Sequence, residues 1–263
     1  ITFQNMKRYL KKSNYNVIFF CPSIEEGGVE KNLINICNNL SREFKISIIT
    51  ANQNKKKFFK NNIFFISPKT KFFNYKSRIL KVLVCVYLLL SKFSTKKFII
   101  ISFQANITAI ILSKIFNAKI IIRSNSSPNF YAKNLIKRKI MQFFYSLANK
   151  VVVNSDEFKR EFKKYFNINA VRIYNPLENT KKLQYLSKKK ILFPFFDKNS
   201  KKFIKILTVG RLVEQKDHIT ILKALKLIKN KISFKLCIIG KGNQKAKLLD
   251  YVKKNKMEKN VKL

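Results

Sequence analysis

The stretch Ile204-Lys-Ile-Leu-Thr-Val-Gly-Arg-Leu-Val-Glu-Gln-Lys-Asp-His218, followed by Phe234-Lys-Leu-Cys-Ile-Ile-Gly-Lys-Gly242, decides the fold. An apolar run of strand length, read as a buried strand, ends at Gly210. A polar loop then offers Arg211 and Lys216, and Ile219, Leu222, Leu225 and Ile228 recur at helical spacing. A second strand ends at Gly240, and Gly240-Lys-Gly242 opens a further helix with apolar Ala246, Leu249 and Val252. Strand, glycine loop and helix in this order build the parallel sheet of a doubly wound α/β domain, which binds ligands where loops leave the carboxyl ends of the strands. Gly210, Gly240 and Gly242 are therefore candidate phosphate-binding positions, with Arg211 and Lys216 as the cations beside them. Asn260-Val-Lys-Leu263 reads as the start of another strand, whereas a complete domain of this kind needs on the order of 100 residues. The chain is expected to be a C-terminally truncated fragment.

The same alternation runs through the first two thirds of the sequence. Strands are predicted near Val17 to Cys21, Ile46 to Thr50, Ile63 to Ile66, Phe98 to Ser102, Lys119 to Ile122, Lys150 to Val153 and Val171 to Tyr174. Helices are predicted at Glu30 to Leu40, Tyr75 to Phe93, Ala105 to Phe116, Tyr131 to Asn149 and Asp156 to Phe166, the last with Ser155 as N-cap. After Tyr174-Asn-Pro176 the periodicity collapses into a lysine-rich tract, which gives the expected division: a first domain over 1–178, a linker over 179–201 and the start of a second domain over 202–263. In the first domain, Gly27 and Gly28 stand between a strand and a helix start, where free backbone amides and the helix dipole favour an anion; a plain flexible turn has the same spelling. The loop Arg123-Ser-Asn-Ser-Ser-Pro-Asn-Phe130 leaves another strand end with polar groups, Asn125 among them.

Composition bounds the rest. Of 263 residues, 56 are Lys or Arg and 13 Asp or Glu, a formal charge of +43. Both an anionic partner and an AT-rich coding bias explain that excess. The four cysteines are scattered, without a C-x-x-C pair and with one histidine in the chain, so no metal site is expected and the thiols read as small buried hydrophobes in a reducing, cytoplasmic setting. Ile1 to Asn16 lacks the apolar core of a secretory signal. Ile79 to Leu90 is too short to cross a bilayer and reads as a buried helix, or, with Lys76, Arg78, Lys81 and Lys92 at its ends, as a helix lying on an anionic membrane surface.

Together, Glu26-Gly-Gly-Val-Glu30, Val152-Val-Asn-Ser155, Val171-Arg-Ile-Tyr-Asn-Pro176, Val209-Gly-Arg-Leu-Val-Glu-Gln-Lys216 and Ile239-Gly-Lys-Gly242 resemble the family-4 glycosyltransferases, the glycosyl transferases of group 1 with the GT-B fold. The resemblance implies two Rossmann-like domains facing across a cleft, the acceptor on the first and a UDP- or GDP-sugar on the second. It implies that Arg211 and Lys216 act as catalytic cations on the donor diphosphate, that Gly28 brings backbone amides to the phosphates or transferred sugar, and that Asn125 contacts the sugar where many relatives carry a histidine. It further implies a retaining hexosyltransferase that needs no metal or cofactor and builds a cell-surface glycan on a glycan or lipid-linked acceptor, on the inner face of the membrane. The family's paired glutamates would lie beyond Leu263. His218 reads as a helix cap or surface group. Two other readings fit the sequence: a basic nucleic-acid-binding protein, which has only the charge in its favour, and a non-catalytic glycosyltransferase remnant.

Overall fold

The computed structural model describes residues 16–25, 27–93, 98–132, 134–177, 180–189, 193–196 and 203–263. Glu26 of the first glycine loop and parts of the expected linker lie outside the described residues. Two compact units divide the chain, 1–179 and 180–263.

Unit 1 carries a seven-stranded parallel sheet in the order β3-β2-β1-β4-β5-β6-β7. Its strands are β1 (Asn16–Phe20), β2 (Ile46–Ile49), β3 (Phe64–Ile66), β4 (Phe98–Ser102), β5 (Lys119–Arg123), β6 (Lys150–Val153) and β7 (Val171–Arg172). The helices are α1 (Gly28–Leu40), α2 (Arg78–Lys92), α3 (Asn106–Ile115), α4 (Pro128–Tyr131), α5 (Leu135–Ser146) and α6 (Asp156–Phe166). Successive side chains of a strand point to opposite faces, which sorts the core into two layers. Ile18, Phe20, Ile100, Ile120, Ile122, Val151 and Val153 pack against α2, α3, α5 and α6 through Leu89, Ile110, Tyr145 and Phe162. Val17, Phe19, Ile46 and Ile48 pack against Leu33 and Cys37 of α1. Burial on both faces is why the central strands read as unbroken apolar runs.

The helix predicted from Tyr131 to Asn149 is two. Ser127 caps α4 by accepting from the Asn129 amide at 3.1 Å, and Asn134 caps α5 by accepting from the Lys137 amide at 2.8 Å, so each has its own start signal. Ser155 caps α6 as its sequence predicts, accepting from the Phe158 amide at 3.1 Å. The helix α2 is only half buried: Cys85 and Leu89 face the core, while Ile79, Leu83, Tyr87 and Leu90 are exposed. No helix among the described residues is long and apolar enough to cross a membrane.

Unit 2 opens with α7 (Thr180–Ser187), inside the stretch read as a linker with no helical periodicity. Its Lys-Lys-Leu-Gln-Tyr-Leu run is made largely of good helix formers free of Gly and Pro, and the absence of a buried face is what hid it from a periodicity argument. The strands β8 (Ile204–Val209), β9 (Phe234–Ile239) and β10 (Val261–Lys262) form a parallel sheet in the order β10-β9-β8, joined by α8 (His218–Ile228) and α9 (Lys245–Lys254). Both helices lie on one face, where Leu222, Leu225, Leu248 and Val252 bury Phe234, Leu236 and Ile238. The buried residues of α9 are thus Leu248 and Val252, whereas Leu249 is exposed. On the opposite face Cys237 is buried and the Lys235 ammonium lies over the rings of Phe195 and Phe203, but the edge strand β8, expected to be buried, leaves Ile204, Leu207 and Val209 exposed.

Candidate functional site

Each unit gathers its candidate residues at the carboxyl end of its own sheet. In unit 1 the chain moves from β1 outward to β2 and β3, then crosses back to β4 and continues to β7, so the strand order reverses between β1 and β4. Such a switch point forces adjacent loops to diverge and opens a crevice above the strand ends. A cleft of about 530 Å³ lies there, lined by Glu25, Glu30, Arg78, Gln104, Arg123 and Asn125 among others.

Gly27 is the N-cap of α1, with an extended backbone and no side-chain cap, and the amide of Lys31 donates to its carbonyl at 3.1 Å. The first-turn amides therefore fall outside the helical ladder. A Cβ on Gly28 would meet nothing within 4 Å, and one on Gly27 would touch only the movable end of Glu30. Packing within unit 1 demands neither glycine. Beneath the loop, the Lys81 ammonium donates to Ser23 Oγ at 3.3 Å, Ser23 Oγ donates to Glu25 Oε1 at 3.1 Å, and the Ser23 amide donates to Gln104 Oε1 at 3.1 Å. Gln104 Nε2 reaches Glu30 Oε1 at 3.5 Å. The loops after β1 and β4 are thereby tied to each other and to α2. Lys81, which one of the two sequence readings put at a membrane surface, is buried, its amine taken up by this polar network.

Arg123, the last residue of β5, is 4% exposed. Its Nη2 donates to Asn175 Oδ1 at 2.7 Å and to the Ile173 carbonyl at 3.4 Å, its guanidinium lies 5.7 Å from the centre of the Phe103 ring, and its Nε has no partner. Burial pulls its pKa below the usual arginine value. Two residues on, Asn125 also lines the cleft, and its buried Nδ2 has no hydrogen-bond partner. Gln104 was not singled out from sequence, Arg123 was named only as the first residue of its loop, and Lys81 only among the cations of its helix. The readable signal for Arg123 was a cation closing a strand of three isoleucines.

In unit 2, the loops after β8 and β9 interlock. The Gly210 amide donates to the Ile239 carbonyl at 2.9 Å, the Leu212 amide to the Lys241 carbonyl at 2.8 Å and the Gln244 amide to the Leu212 carbonyl at 3.0 Å. A Cβ on Gly240 would sit 1.8 Å from the Gly210 carbonyl oxygen, and one on Gly242 would sit 2.2 Å from the Leu212 carbonyl oxygen. These two glycines answer to backbone contact within the unit. Leu212 plugs the loop into the core, while Arg211 and Lys216 on either side stay exposed, with the Lys216 stem 3.8 Å from where a Gly210 Cβ would lie. His218, expected as a cap or surface group, is neither: it is buried, its Nε2 lies 3.2 Å from the Arg211 carbonyl oxygen, and the cap position belongs to Asp217 in the left-handed conformation. The ring lies 3.7 Å from where a Gly210 Cβ would stand, an ordinary contact. Among the described residues no three histidine, cysteine, aspartate or glutamate side chains cluster as a metal site.

Unit 1 thus collects Gly27, Gly28 and Asn125 with Arg123 and a buried polar network, and unit 2 collects Gly210, Arg211, Lys216, Gly240 and Gly242 in one loop cluster. Residues 193–263, which include that cluster, match the family model described as glycosyl transferases group 1. The chain is 28% identical over 160 residues to the amylovoran biosynthesis glycosyltransferase AmsD of Erwinia amylovora, an alignment covering 61% of this chain and 44% of that protein. It is 28% identical over 166 residues to an uncharacterised glycosyltransferase of Methanocaldococcus jannaschii, covering 59% of this chain and 41% of the relative. The alignments thus take in less than half the length of the curated relatives. Among solved structures, HepE of Anabaena with UDP and glucose superimposes with a TM-score of 0.64 at 15% identity over 94% of this chain and 68% of its own. The lipopolysaccharide outer core galactosyltransferase WaaB in its apo form gives 0.59 at 16% over 94% and 67%. The second unit thus matches the group 1 glycosyl transferases, the chain is similar over about 60% of its length to curated glycosyltransferases, and its architecture is that of the GT-B fold.

Proposed function

We propose that the protein to which this chain belongs is a retaining hexosyltransferase. It takes a sugar from a nucleotide diphosphate sugar, held through the loop cluster of unit 2, and passes it to a glycan or lipid-linked acceptor held on unit 1. The observation that carries the reading is that the family match covers the loop in which Arg211 and Lys216 flank a buried Leu212 at a strand end. Two exposed cations on an anchored loop suit a diphosphate, whose negative charge grows as the glycosidic bond breaks; fixed positive groups stabilise that charge without a metal. The diphosphate oxygen released by the sugar then takes the proton of the incoming hydroxyl, so no separate base is required. HepE was solved with UDP and glucose, which favours a nucleotide-sugar donor, and AmsD is named for biosynthesis of amylovoran, which favours a biosynthetic role.

Titration of the chain with UDP and GDP tests the reading. Arg211→Ala and Lys216→Ala each remove a charge-assisted contact worth about 1.5–3 kcal/mol, so each weakens nucleotide binding about tenfold or more. Unchanged affinity in both variants rejects it, and salt-sensitive DNA binding that UDP does not displace favours a nucleic-acid partner instead.

The exposed faces of α2 and α5 favour a peripheral position at an anionic membrane. Ile79, Leu83, Tyr87 and Leu90 form one apolar stripe, and Ile136, Ile140 and Phe143 another. The lysine-rich surface around them supplies the attraction to anionic lipid.

A further inference from the structure

The cleft of unit 1 contains a charge without a counter-charge. Arg123 is buried, its two recorded acceptors are a neutral carbonyl and a neutral amide, its Nε is unpartnered, and among the described residues it has no carboxylate partner. An arginine does not escape by losing its proton, and an uncompensated buried charge costs several kcal/mol. Asn125, two residues away in the same cleft, holds a second buried N–H donor with nothing to receive it. Two unfilled donors, one of them on a buried cation, ask for the same kind of group.

The acidic side chains of the cleft sit elsewhere in it. Glu25 and Glu30 follow β1, whereas Arg123 and Asn125 follow β5, with β4 between them. Two strand spacings separate them, about 10 Å. Each glutamate has its own polar neighbour, Ser23 for Glu25 and Gln104 for Glu30, and Arg78 lines the same cleft. The crevice is therefore graded, carboxylates over β1 and unfilled N–H donors over β5, and its volume of about 530 Å³ accommodates one or two sugar rings.

From this geometry we infer that Arg123 and Asn125 form an anion subsite, and that the acceptor held by unit 1 carries a carboxylate or phosphate there. The inference rests on the reading of unit 1 as the acceptor side. The unpartnered Nε–H of Arg123 offers a charge-assisted hydrogen bond to one oxygen of either group, and the Asn125 amide adds a neutral donor. The lysines of the surface do not substitute for it, because they are solvated and Arg123 is not.

The test follows the Arg123 Nε–H and Asn125 side-chain amide signals by NMR in the chain titrated with D-glucuronate, D-glucose 6-phosphate and, as the neutral control, D-glucose. Both signals should move and saturate with at least one acidic sugar, at an affinity tenfold or more above that of glucose, and Arg123→Gln and Asn125→Ala should each weaken that binding tenfold. A response to glucuronate alone identifies a uronic acid, one to the phosphate alone a phosphorylated or lipid-phosphate acceptor. Asn125→Ala removes no hydrogen bond recorded in the structure and serves where Arg123→Gln fails to fold. Unmoved signals, or acidic sugars that bind no better than glucose, overturn the inference. UDP added to the same sample reports separately on the amides of residues 210–217: shifts there with silence at Arg123 leave the glycosyltransferase reading standing and remove this one, and the reverse pattern keeps the anion site and removes the transferase reading.

Discussion

The backbone carbonyl of Gly210 lies 1.8 Å from the position a Cβ on Gly240 would occupy. No rotamer relieves an overlap with backbone, so the loops after β8 and β9 would have to part, breaking the bonds from Gly210 to Ile239 and from Leu212 to Lys241. Gly240→Ala should destabilise unit 2 by roughly 3 kcal/mol, the scale of the larger single-site losses. Urea unfolding followed by tyrosine fluorescence measures it, and a loss below about 0.5 kcal/mol, the range of neutral surface changes, contradicts the loop contact.

Gly28 is the opposite case. Its Cβ would point into open space at the start of a helix, so Gly28→Ala should leave stability unchanged or raise it by about 0.5–1 kcal/mol through the unfolded state. If the space is kept for a ligand, the same variant loses binding of that ligand. Thermal unfolding beside a nucleotide and acidic-sugar titration separates the two effects; lowered stability would show that unit 1 itself needs the glycine.

The fold was largely legible because two-sided burial writes itself as apolar runs: β1, β4, β5 and β6 stand within a residue of where their isoleucine and valine clusters put them. Elements without a buried face were harder: α7 was passed over, and β8, read correctly as a strand, exposes side chains expected to be buried. The glycine loops were located correctly, yet sequence could not distinguish Gly240, held by backbone contact, from Gly28, which faces empty space. Arg123 and His218 were hidden for a related reason. Their meaning comes from partners 52 and 7 residues away, Asn175 and the Arg211 carbonyl, and a residue type alone does not announce burial.

The buried thiols make stability fall at alkaline pH. Burial pushes Cys21 and Cys37 well above the ordinary thiol value of 9.0, Cys21 also feeling Glu30, and burial raises Cys85 likewise. In the unfolded chain these thiols ionise near their ordinary value, while in the folded chain they keep their protons. The folded state therefore binds more protons above that value, and stability, full below about pH 8.5, declines as pH rises at up to roughly 1.4 kcal/mol per pH unit for each thiol. Urea midpoints between pH 8 and 10 should drop, and replacing Cys21, Cys37 and Cys85 by alanine or valine should flatten the slope even where it lowers stability throughout. A slope unchanged in the triple variant assigns the pH dependence to other groups.

The outward face of α2 allows charge and burial to be separated at a membrane. Leu83 and Tyr87 are 58% and 69% exposed, so Leu83→Ser with Tyr87→Ser should scarcely alter the melting temperature. On vesicles containing phosphatidylglycerol, each side chain that enters the interface contributes up to about 1.5–3 kcal/mol, and the double variant should bind at least tenfold more weakly. High salt removes the electrostatic share and leaves the apolar one. Sedimentation with vesicles at low and high salt measures both. Binding that salt abolishes and the double variant leaves intact would mean that the lysines alone hold the protein to lipid, and that the stripe on α2 faces something other than a membrane.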